Sequence, residues 1–207
     1  MNILMFDLRT QGNSEGEFAS ASYFEKFDVL GAFDYLTNTR KIPKEEIGLL
    51  GFSMGGATSI LATSIEPKIG SLVVDSPFSD ARKLIAQETA KATGVPYFFA
   101  ELFVPMVRLL AKSFYRIDVD AMVPEEAVKG INFPIFLIHG DSDSRLPHFH
   151  SEKIYKNAHS DSELLIVPKG GHTESYAIDP GSYIERLHDY YIRRKKALQK
   201  ENHRSPQ

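Results

Sequence analysis

The tightest constraint on this chain is a set of five short apolar runs that do not alternate with polar residues. They lie at Asn2–Phe6, Ile47–Leu50, Ser71–Val74, Pro134–Ile138 and Leu164–Val167. A strand with one face in water alternates, whereas a strand covered on both faces is apolar throughout. Between and after the runs stand segments of helical period. Phe24, Phe27, Leu30, Phe33, Tyr35 and Leu36 recur mostly at three- and four-residue steps, as do Ile184, Leu187, Tyr190 and Tyr191. Strand alternating with helix predicts an α/β fold with a mostly parallel, doubly wound sheet.

The alternation is interrupted once. Residues 80–132 hold about fifty positions of helical pattern and no strand, opened by a Ser79 cap and broken at Gly94-Val95-Pro96. That reads as a helical insertion within one domain spanning residues 1–207, a length that suits a single domain. Its aromatic and aliphatic residues, Phe98, Phe99, Phe103, Val104 and Leu109, suit either an apolar pocket's cap or ordinary core packing.

Composition narrows the chemistry. A net charge of −3 gives no reason to expect nucleic acid or an anionic membrane as partner, which leaves small neutral or polar molecules. The absence of cysteine removes disulfides, thiolate nucleophiles and cysteine metal sites, so catalysis falls to Ser, His and carboxylates, with no cofactor expected. The start, MNILMFDLR, lacks the basic and long apolar regions of a signal peptide, and the apolar stretch Val95–Leu110 is cut by Pro96, Glu101, Pro105 and Arg108, so neither a leader nor a membrane span is expected and the location reads as cytoplasmic. The basic cluster Arg193–Lys196 reads as a solvated helix end.

The stretch Ile47-Gly48-Leu49-Leu50-Gly51-Phe52-Ser53-Met54-Gly55-Gly56 puts Gly-x-Ser-x-Gly between a buried strand and a helix. In that context the turn is so tight that it crowds the serine backbone, leaves room for glycines on either side and lifts Oγ clear of the sheet. It also sets the Met54 N–H at a helix N-terminus, where it suits a developing oxyanion. A serine hydroxyl needs a base to take its proton, and imidazole titrates near neutrality. Of seven histidines, His172 follows the last apolar run in the loop Pro168-Lys169-Gly170-Gly171. His139 ends a strand and reads as structural. His148 and His150 form an HxH pair without a third ligand at helical spacing, so no metal is expected. The base needs an acid to hold its tautomer. Asp141, Asp143 and Asp75 are the candidates, and spacing does not decide between the first two; the chain order Ser, Asp, His is that of nucleophile-elbow hydrolases.

These blocks resemble the α/β-hydrolase superfamily over nearly the whole chain. Asp7-Leu8-Arg9-Thr10-Gln11-Gly12-Asn13-Ser14-Glu15-Gly16 is similar to the D-x-R-G-x-G-x-S-x-G loop after the family's fourth strand, with Thr10 in place of a glycine; Gly51–Gly56 resembles the elbow, His139–Pro147 the H-G-x-x-D-x-x-V-P block that carries the acid, and Gly170-Gly171-His172 the histidine loop. The resemblance favours Asp143 as the acid. With Asp75-Ser76-Pro77-Phe78, the helical insertion and Asp118-Val119-Asp120, it points to the branch related to acyl-hydrolysing esterases and the S9 peptidase fold.

What the resemblance implies is a serine esterase or thioesterase acting on a small acyl substrate, with an S9-like peptidase or a non-catalytic hydrolase fragment as the alternatives. It also implies that the chain enters the fold at its fourth strand. The first three strands, and the loop that supplies a second oxyanion donor, would then be lacking; losing one such donor typically costs about 100- to 1000-fold in turnover. In the family's order the third strand separates the fourth from the fifth. Asn2–Phe6 and Ile47–Leu50 would therefore face each other across a gap, to be closed by sliding together or by self-association through the exposed strand edge.

Overall fold

In the computed structural model, which describes residues 2–204, four strands form a single parallel sheet in the order β1-β2-β3-β4: β1 Gly48–Phe52, β2 Ser71–Asp75, β3 Phe136–Gly140 and β4 Glu163–Val167. The registers pair Phe52 with Asp75, Asp75 with Ile138, and Gly140 with Val167, so all four carboxyl ends reach one edge of the sheet. In open parallel sheets that edge is where ligands bind.

Alternate side chains of the central strands enter two separate cores. Leu72, Val74, Ile135 and Leu137 pack with Ile60, Val128, Phe133 and Ile154, while Val73, Phe136 and Ile138 pack with Val167, Tyr183 and Tyr190. The α-helices are α1 Glu25–Asp34, α2 Met54–Ile65, α3 Ala81–Thr93, α4 Tyr97–Tyr115, α5 Pro124–Ala127, α6 Phe149–Asn157, α7 Ser175–Ile178 and α8 Pro180–Arg204. Ile60 comes from α2 and Ile154 from α6 on one face, Tyr183 and Tyr190 from α8 on the other. Burial on both sides is why β2 and β3 read as unbroken apolar runs.

The predicted strand at Asn2–Phe6 does not form. The segment has no regular structure, Ile3 and Met5 are largely exposed, and it does not slide against β1. Strands are stable only where a neighbour takes their backbone hydrogen bonds, and among the described residues no strand lies beside this one. The outer edge of β1 is correspondingly open among the described residues, with Leu50 and Phe52 exposed.

Two smaller expectations also change. The cap of α3 is Asp80, whose carboxylate accepts the Arg82 N–H, one residue beyond the expected Ser79. The helix ends at Gly94 in the left-handed region, φ 71°, where the break is expected. Arg194 is not solvated: it is buried against the Phe133 ring and donates from Nε to the Gly70 carbonyl. Along α4, Ala100 and Val104 face the body, whereas Phe98, Phe99, Phe103 and Leu109 are at least half exposed, so core packing does not account for them. No helix of the described chain is long and apolar enough to cross a membrane.

Candidate active site

Ser53 links β1 to α2 with φ 51° and ψ −121°, a conformation that L-residues adopt rarely and at a cost of about 1–3 kcal/mol. Two anchors hold it there. Its N–H donates to the Asp75 carbonyl at 2.8 Å, and its carbonyl accepts the Gly56 and Ala57 amides at 3.0 and 3.2 Å. Of the two glycines in the Gly-x-Ser-x-Gly pattern, the close packing falls on the first. A Cβ on Gly51 would lie 2.4 Å from the Gly55 carbonyl oxygen, whereas one on Gly55 would meet open space. The Met54 amide heads α2, where no carbonyl of the helix stands four residues earlier.

Three of the predicted side chains meet above the carboxyl edge. His172 Nε2 lies 2.8 Å from Ser53 Oγ, and His172 Nδ1 lies 2.7 Å from Asp143 Oδ2. With the proton on Nδ1, the ring donates to the carboxylate and accepts from the serine hydroxyl. Asp143 is buried; its Oδ1 accepts the Arg145 and Leu146 amides at 2.9 and 2.8 Å. Burial works against its ionisation, yet the Leu146 amide and His172 together hold its carboxyl below the usual carboxylate range.

The other two acids do not touch His172. Asp141 is exposed and accepts the Lys169 N–H and the Ser142 hydroxyl. Asp75 is fully buried at the end of β2, where Oδ1 accepts the Ser76 and Ser175 hydroxyls at 2.9 and 3.3 Å and Oδ2 accepts the Tyr183 hydroxyl at 3.2 Å. Burial pushes this carboxyl up, against the pull of those hydroxyls.

Two further residues support the site. His139 is buried directly behind Asp143, with Nε2 2.7 Å from the Leu146 carbonyl and 3.2 Å from Asp143 Oδ2, and Nδ1 2.7 Å from the Ser151 hydroxyl. Burial lowers its basicity, which suits a neutral ring that donates from Nε2. Ser76, at φ 54°, accepts at its Oγ the Thr173 N–H at 3.2 Å, one residue beyond His172. The only signal for Ser76 was its place after a strand. The two histidines of the HxH pair diverge: His148 is half exposed beside Glu152, and His150 is buried with Nδ1 against the Ser79 amide and hydroxyl.

A parallel sheet wound on both faces, with a strained serine at the first strand's carboxyl end and a histidine and an aspartate from later loops, defines the α/β-hydrolase fold. The chain belongs to the prolyl oligopeptidase family, whose model matches residues 23–196. It is 24% identical over 195 residues to the Escherichia coli protein YfhR, covering 92% of this chain and 60% of that one. It thus spans about three fifths of the length of the curated relatives it matches. Among solved structures, the Pyrococcus furiosus esterase Pf2001 superposes with a TM-score of 0.69 at 22% identity, over 90% of this chain and 68% of that one. Acetyl xylan esterase 1 from Thermoanaerobacterium superposes at 0.64 and 15% identity, over 91% and 64%.

Proposed function

We propose that the chain is a serine hydrolase that cleaves a carboxylic ester or thioester of a small acyl group through an acyl-Ser53 intermediate. The observation that carries this reading is the unbroken hydrogen-bonded line from Ser53 Oγ through His172 to Asp143, 2.8 and 2.7 Å long. As Oγ attacks the carbonyl carbon, its proton passes to His172 Nε2, and Asp143 offsets the imidazolium that forms. The Met54 N–H faces the developing oxyanion. Collapse of the tetrahedral species breaks the bond to the alcohol or thiol, which leaves with the proton from Nε2. Water then attacks the acyl-serine with His172 again as base, releasing the acid and restoring Oγ–H.

The esterase fold neighbours support an ester; the family match supports a second reading, cleavage of a peptide bond by the same steps. Fluorophosphonate labelling of the purified chain tests the common element, because it needs an activated serine and no particular substrate. Labelling is expected in the wild type and absent in Ser53→Ala. Asp143→Asn, which leaves the imidazole free to hold the wrong tautomer, is expected to slow labelling about 10³- to 10⁴-fold. A folded wild-type chain that takes no label would leave the reading of a non-catalytic binder. Short p-nitrophenyl esters against peptidyl anilides then separate the two substrates.

A further inference from the structure

We propose that Asp75 is a positioning residue that couples the serine turn to the histidine loop. The proposal rests on the serine-hydrolase reading above and adds a part to it. Asp75 sits at the carboxyl end of β2, between the strand that leads into Ser53 and the strand that leads toward Asp143. Its main chain holds one partner of the line: the Asp75 carbonyl accepts the Ser53 N–H at 2.8 Å. Its side chain holds the other. Oδ1 accepts the Ser76 hydroxyl, and Ser76 Oγ accepts the Thr173 N–H at 3.2 Å.

The same carboxyl group fastens the polypeptide that follows His172. Ser175 opens α7 and donates to Oδ1, and Tyr183 in α8 donates to Oδ2. The loop between His172 and α7 includes Thr173 at φ 59°, a left-handed conformation that needs support from its surroundings. A buried carboxyl group is expensive unless its oxygens are satisfied, and here both oxygens are satisfied by groups of the histidine segment or by the relay to it. Removing the relay frees the backbone beside His172 while leaving the sheet intact. Because a displacement of about 1 Å can cost about 100-fold in rate, small freedom there is enough to matter.

The test uses the full chain with three variants. Ser76→Ala and Asp75→Asn alter the relay; Tyr190→Phe is the control, since its buried hydroxyl donates to the Pro134 carbonyl and accepts the Leu72 N–H at the opposite end of β2. The readouts are the fluorophosphonate labelling rate, the melting temperature and the downfield NMR resonance of the His172 Nδ1 proton. The expected result is a fall in labelling of tenfold or more for Ser76→Ala and Asp75→Asn, with a broadened or shifted His172 resonance. Tyr190→Phe should lower the melting temperature with labelling within twofold of wild type and the resonance in place. Labelling within twofold in both relay variants, or losses that track melting temperature across all three, would overturn the proposal. If Ser53→Ala labels as well as wild type, the serine reading fails by itself, and the His172 resonance alone then decides the positioning role: unchanged in Ser76→Ala, it sinks it.

Discussion

Gly140 and Gly170 touch backbone to backbone. A Cβ on Gly140 would lie 2.1 Å from the Gly170 carbonyl oxygen, and the Ser142 N–H donates to that same oxygen at 3.0 Å. The strand that leads to Asp143 and the loop that carries His172 are therefore in direct main-chain register. Gly140→Ala is expected to push them apart, with a cost of about 1–3 kcal/mol in stability and a fall in serine labelling larger than the stability loss explains. Labelling at the wild-type rate in a folded Gly140→Ala protein would show that the register does not govern the line to Ser53.

The two glycines around Ser53 should respond in opposite ways. Gly51→Ala drives a methyl group into the Gly55 carbonyl and the Ser59 hydroxyl, at 2.4 and 2.7 Å, and should destabilise the chain and disrupt the turn. Gly55→Ala meets nothing and lies in the first turn of α2, where alanine is the better helix former by up to about 1 kcal/mol. Thermal melts of the pair check this; equal losses in both would contradict it.

Acid should weaken the fold well above the carboxylate range. His150 is fully buried, and burial lowers its pKa from 6.5 to about 4. Because the folded value is depressed, the unfolded chain takes up the proton first, and stability falls as pH drops from about 6.5 toward about 4. At about 1.4 kcal/mol per pH unit, that is roughly 2 kcal/mol between pH 7 and pH 5. His139 shifts in the same direction and adds to the slope, and Asp75, whose pKa is raised, acts in the opposite sense. Asp80 and Asp143, held low, add their losses only at lower pH, as the unfolded carboxylates take up protons before the folded ones do. Urea melts of His150→Asn should show a clearly shallower dependence on pH in that window than wild type. Parallel curves would assign the sensitivity elsewhere.

The sheet was legible because its physics is local: β2 and β3 are covered on both faces, and a run such as Leu72-Val73-Val74 has no polar position to confuse the reading. Ser53 and His172 stood out because each lies just past a strand in a loop of small residues, whereas only the family resemblance separated Asp143 from Asp141. Asn2–Phe6 has the same apolar composition as a buried strand, yet strand formation depends on a neighbour that composition does not report. Arg194 stands among lysines and arginines of similar pattern, and only the tertiary approach of Phe133 and Gly70 distinguishes it. The hydroxyls around Asp75 come from positions as far away as Tyr183, a separation of 108 residues, so no spacing rule could assemble them.

The open edge of β1 ties the serine's fate to a single hydrogen-bond ladder. Among the described residues β1 is paired only with β2, and the last rung of that ladder is the Ser53 amide on the Asp75 carbonyl. Local opening of the sheet from this side undoes the strained turn before it reaches any other part of the site. Amide exchange at β1 therefore becomes a gauge of how long the hydroxyl stays poised, and by linkage any polypeptide that adds to the outer edge raises the lifetime of that poise without touching Ser53.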